Sequence, residues 1–137
     1  MDRDKFIEGL GEVLTDEAVD AASEDRALLL EGLKHLERGE LDEAVKVFRR
    51  AQRVCEQPFT ATASVALGWC LKIEGKHGAA LKTWRKLGQD ISAPVESRFM
   101  ALVSASTLLE ERQDEHELER VHAELEAIEP LLRFEEP

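Results

Sequence analysis

Gly39-Glu40-Leu41-Asp42-Glu43-Ala44-Val45-Lys46-Val47-Phe48-Arg49-Arg50-Ala51 is echoed 36 residues later by Gly75-Lys76-His77-Gly78-Ala79-Ala80-Leu81-Lys82-Thr83-Trp84-Arg85-Lys86-Leu87. Upstream of each stretch the same offset pairs Gly32 with Gly68. Small residues therefore recur at Gly32/Gly68, Gly39/Gly75 and Ala44/Ala80, an aromatic at Phe48/Trp84, and an apolar residue at Ala51/Leu87. A period of this length marks helix-turn-helix units that stack to bury a shared core, because one such unit cannot bury its own apolar face. The expected fold is all-α, and the functional question becomes which partner the stack holds.

Working outward, Ala27, Leu30, Gly32, Leu33 and Leu36 run in helical register from a cap at Ser23 to Gly39, where a glycine accommodates the left-handed backbone of a helix end. The antiparallel mate spans Leu41 to about Glu56, with Ala44, Val47, Phe48, Ala51 and Val54 inward, until Gln57-Pro58-Phe59 breaks it. Ala61 to Glu74 and His77 to about Gly88 repeat the design, with Ala80, Leu81, Trp84 and Leu87 inward. Pro94 fits a first helical turn, where its missing N–H is harmless. Phe99, Leu102, Val103, Ser106 and Leu109 then mark a helix over 95–112, and Leu118, Val121, Leu125 and Ile128 a last one that Pro130 ends. Ahead of the repeats, Phe6, Leu10, Val13 and Leu14 share a face of a helix over 3–14, and Thr15-Asp16-Glu17 opens a short second helix. The organisation is thus an acidic helical segment, 1–22; a repeat domain, 23–128, in pairs 24–56, 61–89 and 95–128; and an acidic tail, 129–137, in which Leu131, Leu132 and Phe134 form a cap or hook.

These residues resemble the tetratricopeptide repeat family, in which small residues let paired helices approach, a glycine turns between them and an aromatic packs on the next unit. The resemblance is strongest over Gly32–Ala51 and good from Ala66-Leu67-Gly68 through Gly75 to Leu87. It departs in its 36-residue offset, where the family usually has 34, in His77 and in a degenerate third pair. It implies a concave groove lined by Leu29, Leu33, Leu36, Val65, Trp69, Lys72 and Ile73. Family members that clamp a carboxylate present Lys, Asn and Arg there; this surface is largely apolar and fits a peptide with aliphatic anchors, each contributing roughly 1.5–3 kcal/mol. The competing readings are that residues 1–22 fill the groove themselves, or that Trp69 is core. Acidic short helices ahead of about three repeats also resemble the class II chaperones of type III secretion, which hold translocators before export.

A second set of residues recurs: Lys46, Arg49, Arg50 and Arg53 on one outer face, and Lys82, Arg85 and Lys86 on the next. It reads as a basic stripe for an acidic partner or for Glu135 and Glu136, or as a solvated face. The net charge of −11 is divided unevenly: residues 1–24 carry eight acids against two bases, 104–137 eleven against three, and 25–103 ten against thirteen. An acidic whole without aromatics among the bases argues against nucleic acid. No metal, cofactor or catalytic constellation is expected, since His35, His77, His116 and His122 lack zinc-site spacing, Gly75-Lys76 is a turn and not a phosphate loop, and no nucleophile motif appears. Cys55 and Cys70 read as packing thiols. With no apolar leader and Ala27 to Leu30 as the longest aliphatic run, a cytoplasmic protein outside the membrane is expected. The function expected is non-enzymatic: an adaptor or chaperone holding a peptide of another protein. The alternative is a self-associating structural protein, in which the partner is a second copy.

Overall fold

The computed structural model describes residues 3–15 and 23–133, and among these all regular structure is helical. The elements are α1 (Arg3–Thr15), α2 (Ser23–Glu37), α3 (Leu41–Val54), α4 (Phe59–Ile73), α5 (His77–Gly88), α6 (Val95–Glu111) and α7 (Glu115–Arg133). Each helix packs on the next, and the alternate helices α2, α4 and α6 also touch in sequence. The expected short helix after Thr15 and the residues Phe134, Glu135 and Glu136 lie outside the described residues.

Three turns join the helices of a pair, and they share one hydrogen-bond pattern. Glu40 N donates to His35 O at 2.8 Å, Lys76 N to Leu71 O at 2.9 Å and Asp114 N to Leu109 O at 3.1 Å. This six-to-one closure needs a left-handed residue at the turn. Gly39 (φ 75°), Gly75 (φ 82°) and Gln113 (φ 57°) supply it. The third pair therefore uses the same turn without glycine, and the step along the chain from Gly75 to Gln113 is longer than that from Gly39 to Gly75. Asp114 reinforces it, its Oδ1 accepting from Glu117 N at 3.2 Å.

The repeated glycines are contact points. A Cβ on Gly32 would lie 2.6 Å from the Phe48 ring, and one on Gly68 would lie 2.0 Å from Trp84 Nε1. Each glycine admits the aromatic ring of the following helix, so the two rings are fully buried. Trp84 Nε1 donates to Val65 O at 3.2 Å, which fixes the ring across α4. Gly88 does the same for Leu102, whose Cδ2 would meet a Cβ at 2.5 Å, and thereby joins α5 to α6.

Several boundaries and faces differ from the sequence reading. The helix after the Gln57-Pro58 break begins at Phe59 and not Ala61, with the Gln57 side chain accepting from Ala61 N at 3.1 Å. Pro94 is the residue before α6 and not within its first turn. α7 continues through Pro130 to Arg133, because an exposed proline in a last turn removes one hydrogen bond whose orphaned carbonyl can face water. Val54, expected inward, is exposed because α3 ends there, while Val47 and Leu81 are half-buried.

Candidate functional site

Trp69, a core residue only 4% exposed, contributes to the wall of an apolar cleft. Its ring stacks on Phe6 of α1 with centroids 5.5 Å apart and an interplanar angle of 20°, and meets Trp84 edge-on, also at 5.5 Å. Lys72 Nζ lies 4.8 Å over the same ring and 3.3 Å from Glu111 on α6, so one cation engages both π-face and carboxylate. The Trp69 indole N–H is buried and has no acceptor. Phe6 and Leu10 from α1, Phe59 and Val65 from α4, and Pro94 and Met100 from α6 complete the apolar lining of a cleft of about 500 Å³.

This arrangement redistributes the groove expected from sequence. Val65 and Trp69 line the cleft, and Lys72 stands above Trp69. Leu29, Leu33 and Leu36 do not line it; they are core residues, 0%, 5% and 0% exposed. The physical reason is α1, which packs on α2 and places the Gly11 backbone against Leu33, where a Cβ would lie 3.7 Å from Cδ2. Ile73 is an exposed residue at the end of α4, away from the lining. α1 therefore covers the α2 side, as the self-filling reading anticipates for its described residues, and leaves an apolar opening between α1, α4 and α6. Met100, 40% exposed, and Phe59 escape the sequence reading, because the third pair shows only a helical pattern there and the Pro58-Phe59 step only a break. An apolar residue on the α6 face equivalent to that of Trp69 is the available signal.

The cationic residues divide into three groups. Arg49, Arg53, Lys82 and Lys86 line a second depression of about 570 Å³ between α3 and α5, floored by Ser64 and Leu67 of α4. Thr62, Val65 and Trp69 face the apolar cleft while Ser64, Leu67 and Leu71 face this trough, so helical spacing puts the two on opposite faces of α4. Lys46 pairs with Glu43 at 3.4 Å, and Arg50 is exposed outside both depressions. Arg85, expected in the stripe, is instead tied to α7, with Nη1 2.5 Å from Glu117 Oε2 and Nη2 3.0 Å from Glu124 Oε1. A continuous stripe is thus interrupted by an interhelix ion pair.

Neither thiol has the environment of a nucleophile. Loss of solvation pushes Cys55 up to about 11, with the Asp25 carboxylate adding to the effect, and pushes Cys70 up to about 12, with Glu74 adding to it. Reactive cysteines sit in electropositive surroundings that lower the value. Among the described residues no three His, Cys, Asp or Glu side chains converge as a metal site. His35 is engaged locally, 3.0 Å from Glu40 across the first turn. No described helix is long and apolar enough to cross a membrane.

The fold and site together define an all-helical protein of consecutively packed helices with an apolar cleft on one face of α4 and a basic trough on the other. No family model, curated protein or solved structure matches the chain.

Proposed function

We propose that this chain is a tetratricopeptide-like, non-enzymatic adaptor or chaperone of the cytoplasm that holds an apolar segment of another protein in the cleft between α1, α4 and α6. The observation that carries the reading is the cleft itself: about 500 Å³ with a predominantly apolar wall that includes Val65 and Met100, the latter 40% exposed. A partner segment would lay aliphatic side chains against Val65 and Met100. Burying one such apolar anchor contributes roughly 1.5–3 kcal/mol. The repeat reading is supported by the shared pattern of the three turns, by the Gly32–Phe48 and Gly68–Trp84 contacts and by the stacking of α2, α4 and α6. In the register of the third turn Ser106 answers to Gly68, whereas Leu118 and His122 stand where the second pair has Ala80 and Trp84, so the last pair keeps the turn but not the small-residue and aromatic contacts.

Selection of displayed random peptides on the immobilised intact chain tests the proposal. Enriched peptides should carry two or three apolar residues, and Met100→Glu or Val65→Glu should abolish their binding while Lys82→Glu, on α5 in the trough on the far side of α4, leaves it intact. Met100 and Val65 are not fully buried, so both variants should keep the wild-type helical circular dichroism. Enrichment of peptides without apolar anchors, or binding indifferent to both substitutions, would refute the cleft as the binding site.

A further inference from the structure

The internal repeat allows one trough of the molecule to be compared with the next. Arg85 stands 36 residues after Arg49, and its Nη1 and Nη2 pair with Glu117 and Glu124 of α7 while Nε is buried without a partner, leaving the side chain 20% exposed. When the turn at Gln113 is laid over the turn at Gly75, the counterparts of Glu117 and Glu124 on α5 are Ala79 and Lys86. Both of these line the trough beside Arg49. Where the later arginine meets two carboxylates, the earlier one meets a methyl group and an ammonium.

The trough is consequently short of negative charge. Arg49 and Arg53 on one wall and Lys82 and Lys86 on the other are exposed, and none has an ion pair among the described residues. The one acid in the lining, Asp90, accepts from Ser92 N at 3.0 Å and Ser92 Oγ at 2.6 Å and also attracts Lys86 and Arg98, so a single carboxylate faces the four cations. Four cations held on rigid helices one turn apart form a receptor for an anionic surface. No aromatic ring lines the trough, so it offers no stacking platform for a nucleic-acid base.

The complement is present in the same chain. Glu115, Glu119 and Glu126 are exposed at positions i, i+4 and i+11 of α7, on the opposite side of that helix from Glu117 and Glu124. Eleven residues of helix span about 16 Å, enough to cross both rungs of cations. α7 is also the element whose carboxylates already satisfy the repeat-equivalent Arg85.

We propose that the basic trough between α3 and α5 docks the outer acidic face of α7 from a second copy of this chain. The two surfaces are different, so the contact is head to tail and generates extended assemblies and not a closed twofold dimer. This surface is independent of the apolar cleft. Attraction confined to exposed charges is screened within about 8 Å at 0.15 M salt and about 3 Å at 1 M, so the assembly must be salt-labile.

Sedimentation velocity of the full chain over a range of protein concentrations is the test. At about 0.15 M salt the sedimentation coefficient should rise with concentration, and at about 1 M it should fall to the monomer value. Arg49→Glu/Lys82→Glu in the trough, or Glu119→Lys/Glu126→Lys on α7, should each weaken self-association at least ten-fold while leaving the helical circular dichroism unchanged. An equimolar mixture of the two variants should associate again, because each trough then finds an opposite charge on the other variant. A wild-type chain that stays monomeric at 0.15 M salt, association indifferent to both reversals, or a folded mixture that fails to recover would each overturn the proposal.

Discussion

Gly68→Ala isolates the contact on which the repeat geometry rests. The new methyl would lie 2.0 Å from Trp84 Nε1 and 2.4 Å from Cε2, and the indole is fully buried, so it has no free side toward which to retreat. Overpacking of this kind costs about 1–3 kcal/mol. A shift of the ring also breaks the 3.2 Å hydrogen bond to Val65 O and orphans a buried donor, adding about 1–3 kcal/mol. Alanine returns roughly 0.8–1 kcal/mol through its helix propensity, so the expected net loss is about 1–5 kcal/mol. Urea unfolding followed by circular dichroism and tryptophan fluorescence measures it. Gly78→Ala, exposed on α5 with nothing within 4 Å, is the control and should be neutral or stabilising by up to about 0.5 kcal/mol. Combining Gly68→Ala with Trp84→Phe, which removes both the indole N–H and the clashing five-membered ring, should recover part of the loss as a favourable coupling. If Gly68→Ala matched the wild type in stability, or if the double variant were simply additive, close approach of α4 and α5 would not be the reason for glycine at this place.

Arg85→Ala should loosen α7 specifically. Glu117 and Glu124 would be left facing each other without their shared cation, with Glu124 Oε2 already buried and unpartnered; a loss of about 1–2 kcal/mol is expected, after discounting for partial exposure, together with faster amide exchange over residues 115–128. The thiols predict a base-side loss of stability. Because burial raises both Cys55 and Cys70 from 9.0 in the unfolded chain to about 11 and about 12, the unfolded state sheds its thiol protons first, so stability should fall as pH rises from about 9 toward 12 and be indifferent to these groups below 9. Urea midpoints at pH 8 and pH 10.5 for the wild type and Cys70→Ala test this, with a smaller drop expected in the variant.

What was legible in the sequence follows from what repeats in it. Gly39 and Gly75 could be placed because a positive φ favours one residue type, and Gly32 and Gly68 because the ring on the following helix, Phe48 or Trp84, needs the vacant Cβ space. The third turn was legible only as a gap with Gln113 or Arg112 where a glycine would stand, because Gln113 performs the same backbone role without glycine. Its longer step from Gly75 also takes Ser106, and not Ser104, into the register of Gly68. The charged stripe was legible as a pattern of residues but not as a surface. Arg85 occupies the same place in its repeat as Arg49, and only the identity of residues on the following helix, Glu117 and Glu124 against Ala79 and Lys86, decides which arginine is engaged. Periodicity specifies which face a side chain takes; it does not specify what the next helix sets against it.

The apolar cleft lies where it does for a related reason. Leu29, Leu33 and Leu36 have the spacing of a groove wall, yet a wall of leucines is as well covered by an amphipathic helix of the same chain as by a foreign one. α1 supplies that helix, and Phe6 carries the cover as far as Trp69. Beyond Phe6 and Leu10 the lining of the cleft continues to Phe59, itself buried, and to Met100, which is exposed. The indole of Trp69 stands at this edge, stacked on Phe6, capped by Lys72 and only 4% exposed, so the intramolecular cover reaches past Trp69 and the open apolar surface lies at Val65 and Met100.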